Sequence, residues 1–99
     1  MTANELLTIC KTHFPDLLWE IEFNGTTEPE GAIAYIPNGK GTILLSLYPK
    51  GAIANFDQRG YSFRSDNLAG ITPDEALTQL KARMRAYAEE ILNLLGDES

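Results

Sequence analysis

Cys10 and His13 stand three residues apart, and they are the chain's one cysteine and one histidine. A Cys–His nucleophile needs a thiolate, an imidazole to take its proton, and usually a third group that orients the ring. At helical spacing the two side chains are neighbours. Both fall on an apolar stripe, however, where a small thiol and a half-buried imidazole are ordinary core occupants. They read as packing. One cysteine also excludes an intramolecular disulfide and any multi-cysteine metal site, so no metal or cofactor is expected.

The segment PNGKGT, residues 37–42, raises the question of phosphate binding. A phosphate loop requires G-x-x-x-x-G-K-[ST], so that successive backbone N–H groups wrap the phosphates and a hydroxyl meets magnesium. Here Gly41 stands where that hydroxyl must be, and the first glycine of the pattern is missing. The residues after it alternate as a strand does, whereas a phosphate loop opens a helix. Asn38-Gly39 is instead the favoured pair for a tight hairpin turn, because both residues tolerate positive φ.

Two further patterns resolve in the same way. Glu20 and Glu22 could divide acid and base roles only if their surroundings separated their pKa values. They alternate on the polar side of a strand pattern, which makes them a solvated pair. Ser65-Asp66-Asn67 matches a tripeptide of penicillin-recognising enzymes, yet no S-x-x-K nucleophile accompanies it. No enzyme is expected from these residues.

The elements that carry them are legible. Thr2 and Glu5 form a capping box for a short helix over residues 3–13, whose Leu6, Ile9, Cys10 and His13 share a face. Pro15 ends it. LLWEIEF (17–23) alternates with period two and reads as a strand, NGTTEPEG as a loop. GAIAYI (31–36), TILLSLY (42–48), AIANF (52–56) and YSFR (61–64) come next as strands separated by short turns, which predicts an antiparallel meander of four to five strands. Trp19, Ile21, Phe23, Ile43, Leu45 and Leu47 are its expected core side. Thr72, Pro73 and Glu75 open a long amphipathic helix over 73–95, and Gly96 closes it. The reading is a single α+β domain, 1–99: short N-terminal helix, meander, and long C-terminal helix packed on one sheet face.

Composition narrows function. A chain of 99 residues, 43% hydrophobic and 22% charged, has the balance of an ordinary globular domain. Fourteen acidic residues against eight basic give a net charge of −6, which disfavours nucleic acid and anionic membrane surfaces as partners. No apolar run reaches the roughly 18–20 residues of a membrane span, and no secretory signal is evident, so the expected location is cytoplasmic. Asn24-Gly25-Thr26 matches the glycosylation acceptor pattern, which has no use there.

Two features carry a functional expectation. Residues 40–64 hold Lys40, Lys50, Arg59 and Arg64 against Asp57 alone. Alternate turns of a meander share an end, so Lys40, Arg59 and Arg64, with Tyr61 and Phe63 nearby, would form a basic rim for an acidic peptide, a nucleotide or a phosphorylated group. The second is geometric. A helix over 73–95 is about 35 Å long at 1.5 Å per residue, while five strands span about 24 Å at 4.8 Å each. Tyr87, Ile91, Leu92, Leu94 and Leu95 would then overhang as a dimer or partner surface.

The expected protein is therefore a small acidic binding module for another protein, working as a homodimer. The leading version is an adaptor or inhibitor of the kind phages and other mobile elements carry, presenting its acidic faces at 16–30 and 89–98. A secretion-chaperone-like homodimer that takes an extended client segment shares its size, acidity and helix-flanked sheet. A small nucleotide-binding or enzymatic domain built on the basic rim is the remaining alternative.

Overall fold

In the computed structural model, which describes residues 1–25 and 27–96, helix α1 spans Ala3–His13 and strand β1 Trp19–Asn24. Strands β2 Glu28–Ile36, β3 Gly41–Tyr48, β4 Gly51–Gln58 and β5 Tyr61–Arg64 come next, and helix α2 covers Pro73–Leu95. The strands form one antiparallel sheet in the order β1-β2-β3-β4-β5. This is the predicted α+β meander.

Local chemistry sets the helix ends. The Thr2 hydroxyl accepts from the Glu5 N–H at 3.1 Å, and the Glu5 carboxylate accepts from the Thr2 N–H at 2.8 Å. Thr72 and Glu75 repeat the exchange at the start of α2, at 3.1 and 2.9 Å, with Pro73 at the first helical position where it forfeits no bond. After α1 the chain turns on Phe14, whose carbonyl accepts from the Leu17 N–H and from the Trp19 indole, each at 3.3 Å. Leu17 thus belongs to the turn, Leu18 is 88% exposed, and β1 begins two residues later than its apolar pattern suggests.

The segment NGTTEPEG is not wholly loop, because β2 starts at Glu28. Phe23 lies opposite Pro29 and Glu22 opposite Gly31, so Glu30 is an extra residue at a bulge. A bulge is where a strand tolerates a proline, which has no N–H to give the ladder.

Period-two alternation sends one set of side chains toward the helices. Trp19, Ala32, Ala34, Ile43, Leu45, Ala52, Ala54 and Phe56 join Leu6 and Cys10 of α1 and Ala76, Leu77 and Leu80 of α2 in one buried cluster. Ile21 and Leu47 pack on its margin, while Phe23, past the bulge, is 46% exposed and lies outside it. Ala32 and Ala54 lie on either side of Leu45, and Ala34 lies beside Ile43, so small and large side chains alternate across the strands and the helices can seat closely. Both helices lie on this face. The opposite face carries no element among the described residues.

The chain returns from β5 to α2 along the far edge. Ser65 is buried and bonds to Ala54 twice, its N–H donating to the Ala54 carbonyl and its hydroxyl accepting from the Ala54 N–H, both at 2.9 Å. The Asp66 carboxylate pairs with Arg83, and the Asp66 N–H donates to the Gln79 side-chain carbonyl at 2.7 Å. Ser65-Asp66-Asn67 is thus a splice between sheet and helix. The Ile71 carbonyl then accepts from Ala52 at 2.9 Å and seats the start of α2 at the Gly51 end of β4.

Candidate functional site

Cys10 and His13 both serve the seating of α1. Cys10 is fully buried, and desolvation pushes its thiol up to about 12, so at neutral pH it holds no thiolate. His13 turns to α2, where its Nε2 lies 2.8 Å from Asp74 and its Nδ1 3.4 Å from the Lys81 ammonium. Lys81 can only donate, which fixes Nδ1 as acceptor and leaves Nε2–H to donate to Asp74. The ring clasps α1 to α2. Among the described residues no group of three His, Cys, Asp or Glu side chains could hold a metal ion.

PNGKGT is a turn. Asn38 has φ 65° and ψ 29°, and Gly39 has φ 68°, the left-handed pair expected of Asn-Gly. Ile36 and Gly41 flank it as partners, so the connection has four residues, with Pro37 and Lys40 outside the left-handed pair. Register then comes out as predicted, with Ile43 and Leu45 buried and Leu44 on the other face.

The rim is partly assembled. The Gln58 amide donates to the Gly39 carbonyl at 3.4 Å, joining the Lys40 turn to the Arg59 turn. Gly39, Gly41, Asp57 and Arg59 line one shallow hollow there. Arg64 lies three residues along β5 and lines a different hollow, with Arg83, Tyr87 and Glu90. Tyr61 and Phe63 do not serve the rim. Tyr61 stacks on Tyr87 at 5.2 Å between centroids and Phe63 lies tilted against the same ring at 5.1 Å, so both belong to the packing of α2 on β5.

The overhang is plain in the structure. Helix α2 enters at the Ile71–Ala52 contact, passes Ile36 and Ile43 at Met84, and reaches Tyr61 at Tyr87. Glu90 still borders β5, and residues 91–95 then run on for about 7 Å at 1.5 Å per residue, past the sheet end that bears Lys40 and Arg59. Ile91, Leu92, Leu94 and Leu95 are 39%, 58%, 82% and 67% exposed. Ile91, Leu94 and Leu95 continue the stripe of Leu77, Leu80, Met84 and Tyr87, which the sheet covers, and Leu92 lies beside it. Glu89 and Glu90 flank this stripe. Of the acidic faces expected at 16–30 and 89–98, Thr26, Asp97 and Glu98 lie outside the described residues.

One surface escaped the sequence reading. On the uncovered sheet face the middle strands place Ile33, Leu44 and Ile53, all half-buried, with Tyr35 and Tyr48 exposed around them. A signal existed: segments 31–36, 42–48 and 52–56 contain no charged residue on either face. Strands written that way read as covered on both sides. Comparison with protein-family models, curated proteins and solved structures returns no match to this chain. No helix is long and apolar enough to cross a membrane among the described residues.

Proposed function

We propose that this chain is a protein-binding module, a homodimeric adaptor or inhibitor that presents the last two turns of α2 to a partner protein. The observation that carries this reading is the continuation of one apolar stripe past its own sheet, with Leu94 and Leu95 more than half exposed. Four large aliphatic side chains at one helix end are far more than a solvated terminus needs. The mode is an amphipathic helix laid into a groove, anchored at spacings of three and four. Glu89 and Glu90 beside the stripe select a groove with a basic rim.

The test is capture of host proteins by the wild-type chain and by Leu94→Glu/Leu95→Glu, which leaves every buried residue in place. Proteins retained by the wild type and lost by the variant, at equal thermal stability, support the reading. An identical retained set overturns it.

A further inference from the structure

The uncovered sheet face is charged in an ordered way. Register places Glu20, Ile33, Leu44, Asn55 and Arg64 in one row across the five strands. An acid stands on one edge strand, a base on the other, and neutral side chains fill the middle. Apart from Glu28 and Glu30 at the bulge, Asp57 near one end of β4 is the single charge of the three middle strands on this face, and Glu22 joins Glu20 on the β1 edge. A face built only to meet water would carry charges on its central strands as well. A neutral centre with a charged margin is the anatomy of an interface.

We propose that this face is the dimer interface, occupied by a second copy of the same chain packed sheet to sheet. The central row of the face is complementary to itself under two-fold symmetry. An axis between two such faces, parallel to the strands and passing over β3, reverses strand order, so β1 of one copy lies over β5 of the other. The row then maps onto itself backwards. Glu20 meets the partner copy's arginine at position 64, twice over, and Leu44 meets its own counterpart near the axis. The same operation sets Tyr35 against Asp57, because these two lie on either side of Thr42 in the neighbouring row. An isologous contact needs a patch of this kind.

Size agrees. Five strands at about 4.8 Å, averaging about seven residues at about 3.3 Å, give a face of roughly 550 Å² per copy, or about 1,100 Å² in total. That clears the roughly 1,000 Å² a specific interface needs, and aligned packing of twisted sheets at about 10 Å separation suits it. The inference rests on the homodimeric reading and leaves both α2 extensions free, so the assembly would offer two identical arms to its partner. Failure of this interface and failure of the α2 surface are separable.

The experiment is sedimentation equilibrium from low to high micromolar concentration on the wild type, Glu20→Arg, Arg64→Glu and the double reversal. The wild type should be a dimer, each single reversal should weaken it roughly tenfold, and the double reversal should restore it to within about threefold. Leu44→Asp, on the outer face, should give a folded monomer whose melting temperature no longer depends on protein concentration. A wild type that is monomeric at high micromolar concentration overturns the proposal, whether or not the face then shields an unfolded client. So does a dimer indifferent to both charge reversals. A dimer lost in Leu94→Glu/Leu95→Glu but kept in Leu44→Asp moves the contact to α2 and overturns it too.

Discussion

The two halves of α2 have the same design and opposite fates. In residues 73–84 the stripe of Leu77, Leu80 and Met84 meets the sheet and α1, and the first two are fully buried. In residues 85–95 the stripe continues through Tyr87, Ile91, Leu94 and Leu95 at the same spacing, but cover runs out along it, from 36% and 39% exposed at Tyr87 and Ile91 to 82% and 67% at Leu94 and Leu95. The difference is not in the helix. It lies in where the sheet stops. Periodicity states which side of a helix is meant to be covered, and the rest of the fold decides how much of that side the chain covers by itself.

The sharpest contrast is between equivalent leucines. Leu80→Ala should cost about 2–5 kcal/mol in urea unfolding, because it removes a fully buried side chain from a packed cluster. Leu95→Ala, about two turns of helix beyond Tyr87, should change stability of the free chain by less than about 0.5 kcal/mol. Equal losses would mean that the extension folds back on the body and that the comparison is wrong.

A smaller effect tests the packing between α1 and the buried half. The Cys10 thiol lies in the same cluster as Leu77 and Leu80, and burial raises it to about 12 from an ordinary value near 9. A raised folded value favours the neutral thiol, so its contribution is complete below pH 9 and falls as pH climbs toward 12. Urea unfolding of the wild type should therefore lose stability steadily across that window. Cys10→Ala, whatever its starting stability, should lack that part of the slope.

The smallest effect concerns the outermost cap. Hydrogen bonds from Thr2 hold the Glu5 carboxyl below its usual range, on a fully exposed group. A lowered folded value stabilises above the ordinary carboxylate pKa, so the contribution fades as pH falls through the folded one. Glu5→Gln should flatten that acid limb slightly in circular dichroism at α1, while the α2 extension stays indifferent.

How much of this was legible in the sequence depended on range. Thr2, Glu5, Thr72, Pro73 and Glu75 announce their helices because capping is settled within four residues, and Asn38-Gly39 announces its turn for the same reason. The excess length of α2 came from counting alone. The bulge at Glu30 did not show, since Pro29 reads as loop until Phe23 is known to lie opposite. The clasp of His13 onto Asp74 and Lys81 joins residues more than sixty positions apart, and no local pattern reports such a pair. The rim was half legible. Alternate turns do share an end, but Arg64 is carried along β5, away from the Lys40 and Arg59 turns, and the aromatic residues beside it serve α2. The open face is written in the uncharged strands, but alternation by itself specifies only one side of a sheet.

The strand order has a consequence in time. Each strand pairs with its sequence neighbour, so every sheet contact closes a short loop, and hairpins of this kind form within microseconds. The contact between α1 and α2 is different, since it must wait for the whole sheet and the far helix. During synthesis the meander can therefore assemble while α2 is still in the ribosome, leaving Ile43, Leu45 and Phe56 uncovered for as long as the last third of the chain takes to emerge. At about 5–20 residues per second that interval is on the order of seconds. For that time α1 alone lies on the inner face, over β1 and β2, and α2 closes the rest of it only when it arrives.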